Sequence, residues 1–159
     1  MELKIININD DKTNKIYAST NCQQLITSIQ EYYQKIGFNK PWVGYFVFKN
    51  NQVVGTGGFT GQPQDGKVEI AYGTFKEFEG QGVATFACKE LISISKKTDP
   101  TIIITAKTAP EHNASTKILQ NNGFEFSKVV QDDGIGDAWL WTLKTAENGL
   151  KNRTQEVIF

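Results

Sequence analysis

Arginine is almost missing from this chain of 159 residues: of seventeen basic residues, only Arg153 is not a lysine. Seventeen acidic residues cancel them, so the net charge is zero and there is no basic stripe of the kind a duplex-binding protein presents. Nucleic acid is therefore not expected as a partner. Histidine occurs once, at His112, and cysteine twice, at Cys22 and Cys88, with no C-x-x-C spacing, so no metal site is expected. Two isolated thiols fit a reducing, cytoplasmic compartment. No apolar run approaches the length of a membrane span, and the opening MELKIININDD is too polar for a signal peptide, so no membrane partner is expected. Repeats, linkers and low-complexity tracts are also lacking. The expectation is one domain over residues 1–145, followed by a polar tail, 146–159.

What remains is an ordinary globular composition, 39% hydrophobic and 21% charged. Leu3, Ile5 and Ile8 suit a short first strand, and residues 11–19 a polar helix-like segment. Thr20 and Asn21 suit caps, with Gln23 and Gln24 placed for a capping box. Cys22, Leu25, Ile26, Ile29, Tyr32, Tyr33 and Ile36 then recur at helical spacing up to Gly37. Residues 42–48 and 52–59 read as a hairpin around Asn50-Asn51, and residues 68–75 as the third strand of that meander. Val83, Phe86, Ala87, Leu91 and Ile94 mark a helix face that Asp99-Pro100 ends. The β-branched run 101–105 reads as a buried strand, 113–122 as a short helix closed by Gly123, and 124–130 and 138–143 as two last strands. The order predicts an α/β fold: a mixed sheet with helices on both faces.

The stretch Gly80-Gln81-Gly82 joins a strand to a helix. Glycines let backbone approach a ligand, and the first N–H groups of a helix lack intrahelical partners, so this turn suits a diphosphate. A dinucleotide fingerprint fits poorly: the third glycine is missing, and Asp99 precedes its strand instead of ending it. A P-loop needs Gly-Lys-Ser/Thr, which does not occur.

Downstream stands Pro110-Glu111-His112-Asn113-Ala114-Ser115, closing at Gly123-Phe124. With Glu79-Gly80-Gln81-Gly82-Val83-Ala84 it resembles the paired motifs of the GNAT superfamily of N-acetyltransferases: a Q/R-x-x-G-x-G/A turn, then a P-E-N-x-A-S helix start that closes with G-F. The resemblance covers roughly residues 3–145 and is nearest to the branch with the ribosomal-protein alanine N-acetyltransferases. It implies a mostly antiparallel sheet, splayed between the fourth and fifth strands (68–75 and 101–105), with acetyl-CoA in the gap. Glu79, Gly80, Gln81, Gly82, Val83, Ala84 and Thr85 would then meet the diphosphate. Tyr72, Gly73 and Thr74 would run beside the pantetheine arm, and His112 and Asn113 would bind the same donor. Two departures stand out: Glu79 replaces the usual Gln or Arg, and His112 the usual Asn.

The resemblance further implies direct acetyl transfer from acetyl-CoA to a primary amine, through a ternary complex. Glu69, in Glu69-Ile70-Ala71-Tyr72 where relatives have E-I-G-Y, would be the base. Ser115 would hydrogen-bond the departing sulfur. Leu119 stands where many relatives place an acidic Tyr. Cys88 lies on neither motif and is not nominated as a nucleophile. The alternatives are a GNAT domain that binds acyl-CoA without efficient turnover, and an interaction domain with neither ligand nor catalysis. For the acceptor, a peptide N-terminus or a small amine, Tyr33, Phe38 and Trp42 offer apolar contact, and Asp132, Asp133 and Asp137 an attraction for one amine. A monomer or a homodimer is expected.

Overall fold

The computed structural model describes residues 1–143; the expected tail, 146–159, lies outside the described residues. The chain divides into two compact units, Met1–Ile102 and a second from Ile103 onward.

In the first unit four strands pair antiparallel in chain order: β1 (Glu2–Ile5), β2 (Gly44–Lys49), β3 (Gln52–Phe59) and β4 (Lys67–Thr74). Asn50 and Asn51 both take positive φ, 51° and 62°. Such angles give the tight hairpin twist that matches the strands it joins. Two helices cover this sheet, α1 (Thr20–Ile36) and α2 (Val83–Thr98). Successive strand side chains point to opposite faces, and the core divides accordingly. Phe46 packs with Ile6, Cys22 and Ile26 under α1, while its neighbour Val47 packs with Val54, Val83 and Ala87 under α2. The expected helices on both faces are thus present within this unit. Ile26 and Leu91 are fully buried, each contributing about 1.5–3 kcal/mol relative to exposure.

Local expectations needed four corrections. The first strand stops at Ile5, and Ile8, beyond it, is largely exposed. The polar segment 11–19 forms only a 3-10 turn, Lys15–Tyr17, capped by Asn14. Helix α1 is capped one residue earlier than expected, by Ser19, whose hydroxyl accepts from the Cys22 N–H at 3.2 Å. Gln23 does not close a capping box, because its amide reaches back to the Lys12 and Tyr17 carbonyls, both at 2.7 Å.

In the second unit β5 (Ile103–Thr108), β7 (Gly136–Leu143) and β6 (Phe124–Asp132) form an antiparallel sheet, with β7 in the centre. Strand β5 begins and ends later than the apolar run 101–105 suggested. Trp141 is buried and its indole N–H donates to the Thr108 hydroxyl at 2.9 Å, which satisfies both groups in the core. Helix α3 (Ala114–Asn121) buries Thr116 and Leu119.

Candidate active site

The first unit carries the glycine turn. After β4 comes a 3-10 turn, Lys76–Phe78, then Glu79 in extended conformation. Gly80 and Gly82 follow with φ of 78° and 80°. These values favour glycine. No heavy atom lies within 4 Å of where a Cβ would stand on either glycine. Backbone conformation, not crowding, therefore selects glycine here, and the space above the turn is open. Gly82 is the N-cap of α2 and offers no side-chain acceptor. The Phe86 N–H closes the first helical bond onto the Gly82 carbonyl at 3.0 Å. The N–H groups before it lack intrahelical acceptors and sit at the positive end of a sixteen-residue helix. Backbone donors, a helix dipole and free space are thus present together at this turn.

One residue at this turn was not predicted from sequence. The Lys49 ammonium, at the end of β2, donates to the Gln81 side-chain carbonyl at 3.2 Å. Only the registers of β2, β3 and β4 together could have signalled that proximity.

Strand parity sorts the residues of β4. Val68, Ile70 and Tyr72 face α2; Glu69, Ala71 and Gly73 face the other side. On that second face a groove of about 320 Å³ runs between α1 and the sheet, lined by Ile29, Tyr32 and Tyr33 of α1, Phe59 and Thr60, and Ala71 and Gly73. Glu69 is half-buried on the same strand face, two residues beyond Ala71, and its carbonyl accepts the Thr60 N–H at 3.0 Å. Glu69 thus shares a strand face with the groove residues Ala71 and Gly73. A second cavity of about 540 Å³, lined by Asn21, Gln24 and Ser28 of α1 with Thr74 and Lys76, shares Thr56 and Gly73 with the first. The two form one trough along β4.

Tyr33 lines this groove with its ring, but its hydroxyl is committed: it donates to the Ile6 carbonyl and accepts the Gly44 N–H, each at 2.9 Å. Phe38 stacks on Tyr33 at 5.0 Å, behind the groove. Trp42 meets Phe59 edge-on at 5.0 Å, and Phe59 pairs with Ile70, which puts its ring on the α2 face. The hydroxyl of Tyr32, unassigned in the sequence beyond its place in the α1 stripe, donates to the Thr60 carbonyl and ties α1 to β3. Tyr72 packs into the α2 cluster, and burial raises its hydroxyl pKa well above the ordinary tyrosine value. It stays protonated at neutral pH. Burial also pushes the Cys88 thiol up to about 11, which leaves it a poor nucleophile.

The second unit carries the other motif. Asn113 caps α3: its side chain accepts the Thr116 N–H at 3.2 Å, and Thr116 Oγ1 accepts the Asn113 N–H at 2.9 Å. The Asn113 amide also donates to Glu111 at 3.1 Å. The cap is thereby complete without Ser115, which is exposed on the first helical turn. The His112 ring rests against Trp139 at 5.0 Å. Leu119 is fully buried. Asp132 accepts the N–H groups of Gly134 and Ile135 and pairs with Lys107 at 3.5 Å, contacts that hold its carboxyl below the ordinary range.

Among the described residues no group of three or more metal-ligating side chains occurs, and no helix is long and apolar enough to cross a membrane.

Comparison with known proteins gives a consistent result. The sequence profile of the acetyltransferase (GNAT) domain matches residues 5–125. The uncharacterized N-acetyltransferase YjdG of Bacillus subtilis (strain 168) is 27% identical over 116 residues, covering 71% of this chain and 69% of that protein. RimL, a ribosomal L7/L12 alpha-N-protein acetyltransferase solved in complex with coenzyme A, superposes with a TM-score of 0.61 at 16% identity, over 79% of this chain and 72% of that one. A spermidine N-acetyltransferase SpeG chimera from Vibrio cholerae superposes with a TM-score of 0.68 at 13% identity, over 94% of this chain and 99% of that one. At such identities the superpositions establish the fold.

Proposed function

Because the chain belongs to the GNAT acetyltransferases, a family of acyltransferases, we propose that it moves an acetyl group from acetyl-CoA directly to a primary amine, on a peptide N-terminus or a small amine. The observation that carries this reading is the strand-turn-helix of the first unit: a groove lies against the face of β4 that also carries Glu69, and the chain after β4 enters an open glycine turn at the start of α2. The diphosphate of the donor binds the N–H groups after Gly80 and Gly82, with Glu79, Gln81, Val83, Ala84 and Thr85 around it. Tyr72, Gly73 and Thr74 offer backbone groups to the pantetheine arm, while the Tyr72 ring stays in the core.

Glu69 accepts the proton that the amine sheds as its nitrogen bonds to the acyl carbon. The carbon–sulfur bond then breaks, and the sulfur leaves with its electron pair. On the second unit, Ser115 keeps the role its motif implies, a hydrogen bond to that sulfur, and His112 and Asn113 that of donor contacts. Ser115 is exposed and does not serve as the cap, which supports this assignment. Tyr33, Phe38 and Trp42 shape the acceptor side. The paired Asp132 is less suited to draw an amine than Asp133, because its oxygens already serve the turn and Lys107, and Asp137 already accepts from the Gln131 amide.

A second reading, acyl-CoA binding without efficient turnover, is favoured by Leu119, a buried apolar residue where many relatives carry an acidic Tyr. One assay separates the two: CoA thiol release measured with peptides, polyamines and other small amines, with products identified by mass. Acetylated amine at enzymatic rates is expected. Tight acetyl-CoA binding with no product from any amine would leave the second reading in place.

A further inference from the structure

Placing an acyl-CoA diphosphate at the α2 turn raises an electrostatic question. Glu79, next to the turn, puts a carboxylate beside an anion site, and neither Gly80, Gln81 nor Gly82 carries a positive charge. The helix dipole supplies roughly half an elementary charge, against a diphosphate with about two negative ones.

The missing cation is in reach from another strand. Lys49 is the last residue of β2 and pairs with Gln52 across the Asn50-Asn51 turn. The register Gly55↔Thr74 brings the end of β4, and so the chain entering α2, to this same end of the sheet. Val83, the first residue of α2, packs in one cluster with Val47, two residues before Lys49. The Lys49 stem is half-buried, and its ammonium is 3.2 Å from the neutral side-chain carbonyl of Gln81, the central residue of the turn. Among the described residues Lys49 forms no ion pair with a carboxylate. A phosphate oxygen is a stronger acceptor for an ammonium than an amide carbonyl.

We propose that Lys49 is the cationic ligand of the donor's diphosphate, swinging from Gln81 onto a phosphate oxygen and offsetting Glu79. This assignment rests on the acetyl-CoA reading above. It adds a determinant that lies outside both motifs and on another strand of the sheet.

Calorimetric titration of CoA and of dephospho-CoA, which lacks the 3′-phosphate but keeps the diphosphate, tests it. Lys49→Met should weaken both ligands alike by about tenfold or more, the scale of one charge-assisted contact. Lys49→Glu should weaken them further, and Lys49→Arg should retain most of the affinity. The wild-type affinity should also fall more steeply with added salt than that of Lys49→Met. Unfolding temperatures near wild type confirm that the variants fold. A Lys49→Met protein that binds both ligands as the wild type does would overturn the assignment. Loss for CoA with none for dephospho-CoA would overturn it too, because the cation would then serve the 3′-phosphate. A wild type that binds neither would defeat the acetyl-CoA reading itself, a result distinct from these.

Discussion

Two helix starts in this molecule solve the same problem in opposite ways. Both α2 and α3 begin in a recognisable motif, and both present N–H groups that lack intrahelical partners. At α3, Asn113 and Thr116 form a reciprocal capping box, and Glu111 engages the remaining amide of Asn113. At α2, Gly82 provides no side-chain cap, and the space over Gly80 and Gly82 is open. One start is closed by its own side chains. The other leaves its donors unoccupied by side chains and so open to an anion. The contrast separates a capped helix start from an open one, although both read as helix starts in the sequence.

The comparison is broken most severely at Gly82. Gly82→Asp should abolish acetyl-CoA binding while the fold survives, because an aspartate tolerates positive φ and places a carboxylate over the N–H groups meant for the diphosphate. Calorimetry on the folded variant checks this; affinity equal to wild type would remove the anion site from the account. Next in size is Glu69→Gln, which should lower turnover at saturating amine by about 100-fold, with little change in acetyl-CoA affinity. Steady-state rates across neutral to mildly alkaline pH would expose the opposite case, a variant as fast as wild type throughout. The smallest effect is expected at α3. Asn113→Ala should lower stability by about 1 kcal/mol, the usual value of an N-cap. Denaturant melts read that loss, and no loss at all would show that the box in α3 contributes nothing net.

Much of this was legible in the sequence, and the unread part has physical reasons. The α2 turn was readable because positive φ at two positions favours glycine, leaving a Gly-x-Gly signature. The β2–β3 hairpin was readable because Asn50 and Asn51 serve the same need. The start of α1 was misplaced by one residue, since Ser19, Thr20 and Asn21 are all good caps and local preference does not decide between them. Gln23 failed to close its expected box because the Lys12 and Tyr17 carbonyls take its amide. In the site, Glu69 could be assigned to a strand face from period-2 alternation, whereas Lys49 could not be tied to Gln81, thirty-two residues away, without the register of three strands. The role of Tyr32 was hidden for a related reason: helical spacing placed it in an apolar stripe but could not show that its hydroxyl reaches Thr60 on β3.

The central claim, that the α2 start is an anion site for the acyl donor, is tested most directly by titrating CoA into isotopically labelled protein and following backbone amide resonances. The account predicts that the amides of Gly82, Val83, Ala84 and Thr85 shift strongly and saturate with the binding curve, while the Thr116 amide, already held by Asn113, moves little. Saturating CoA with those four amides unmoved would contradict it.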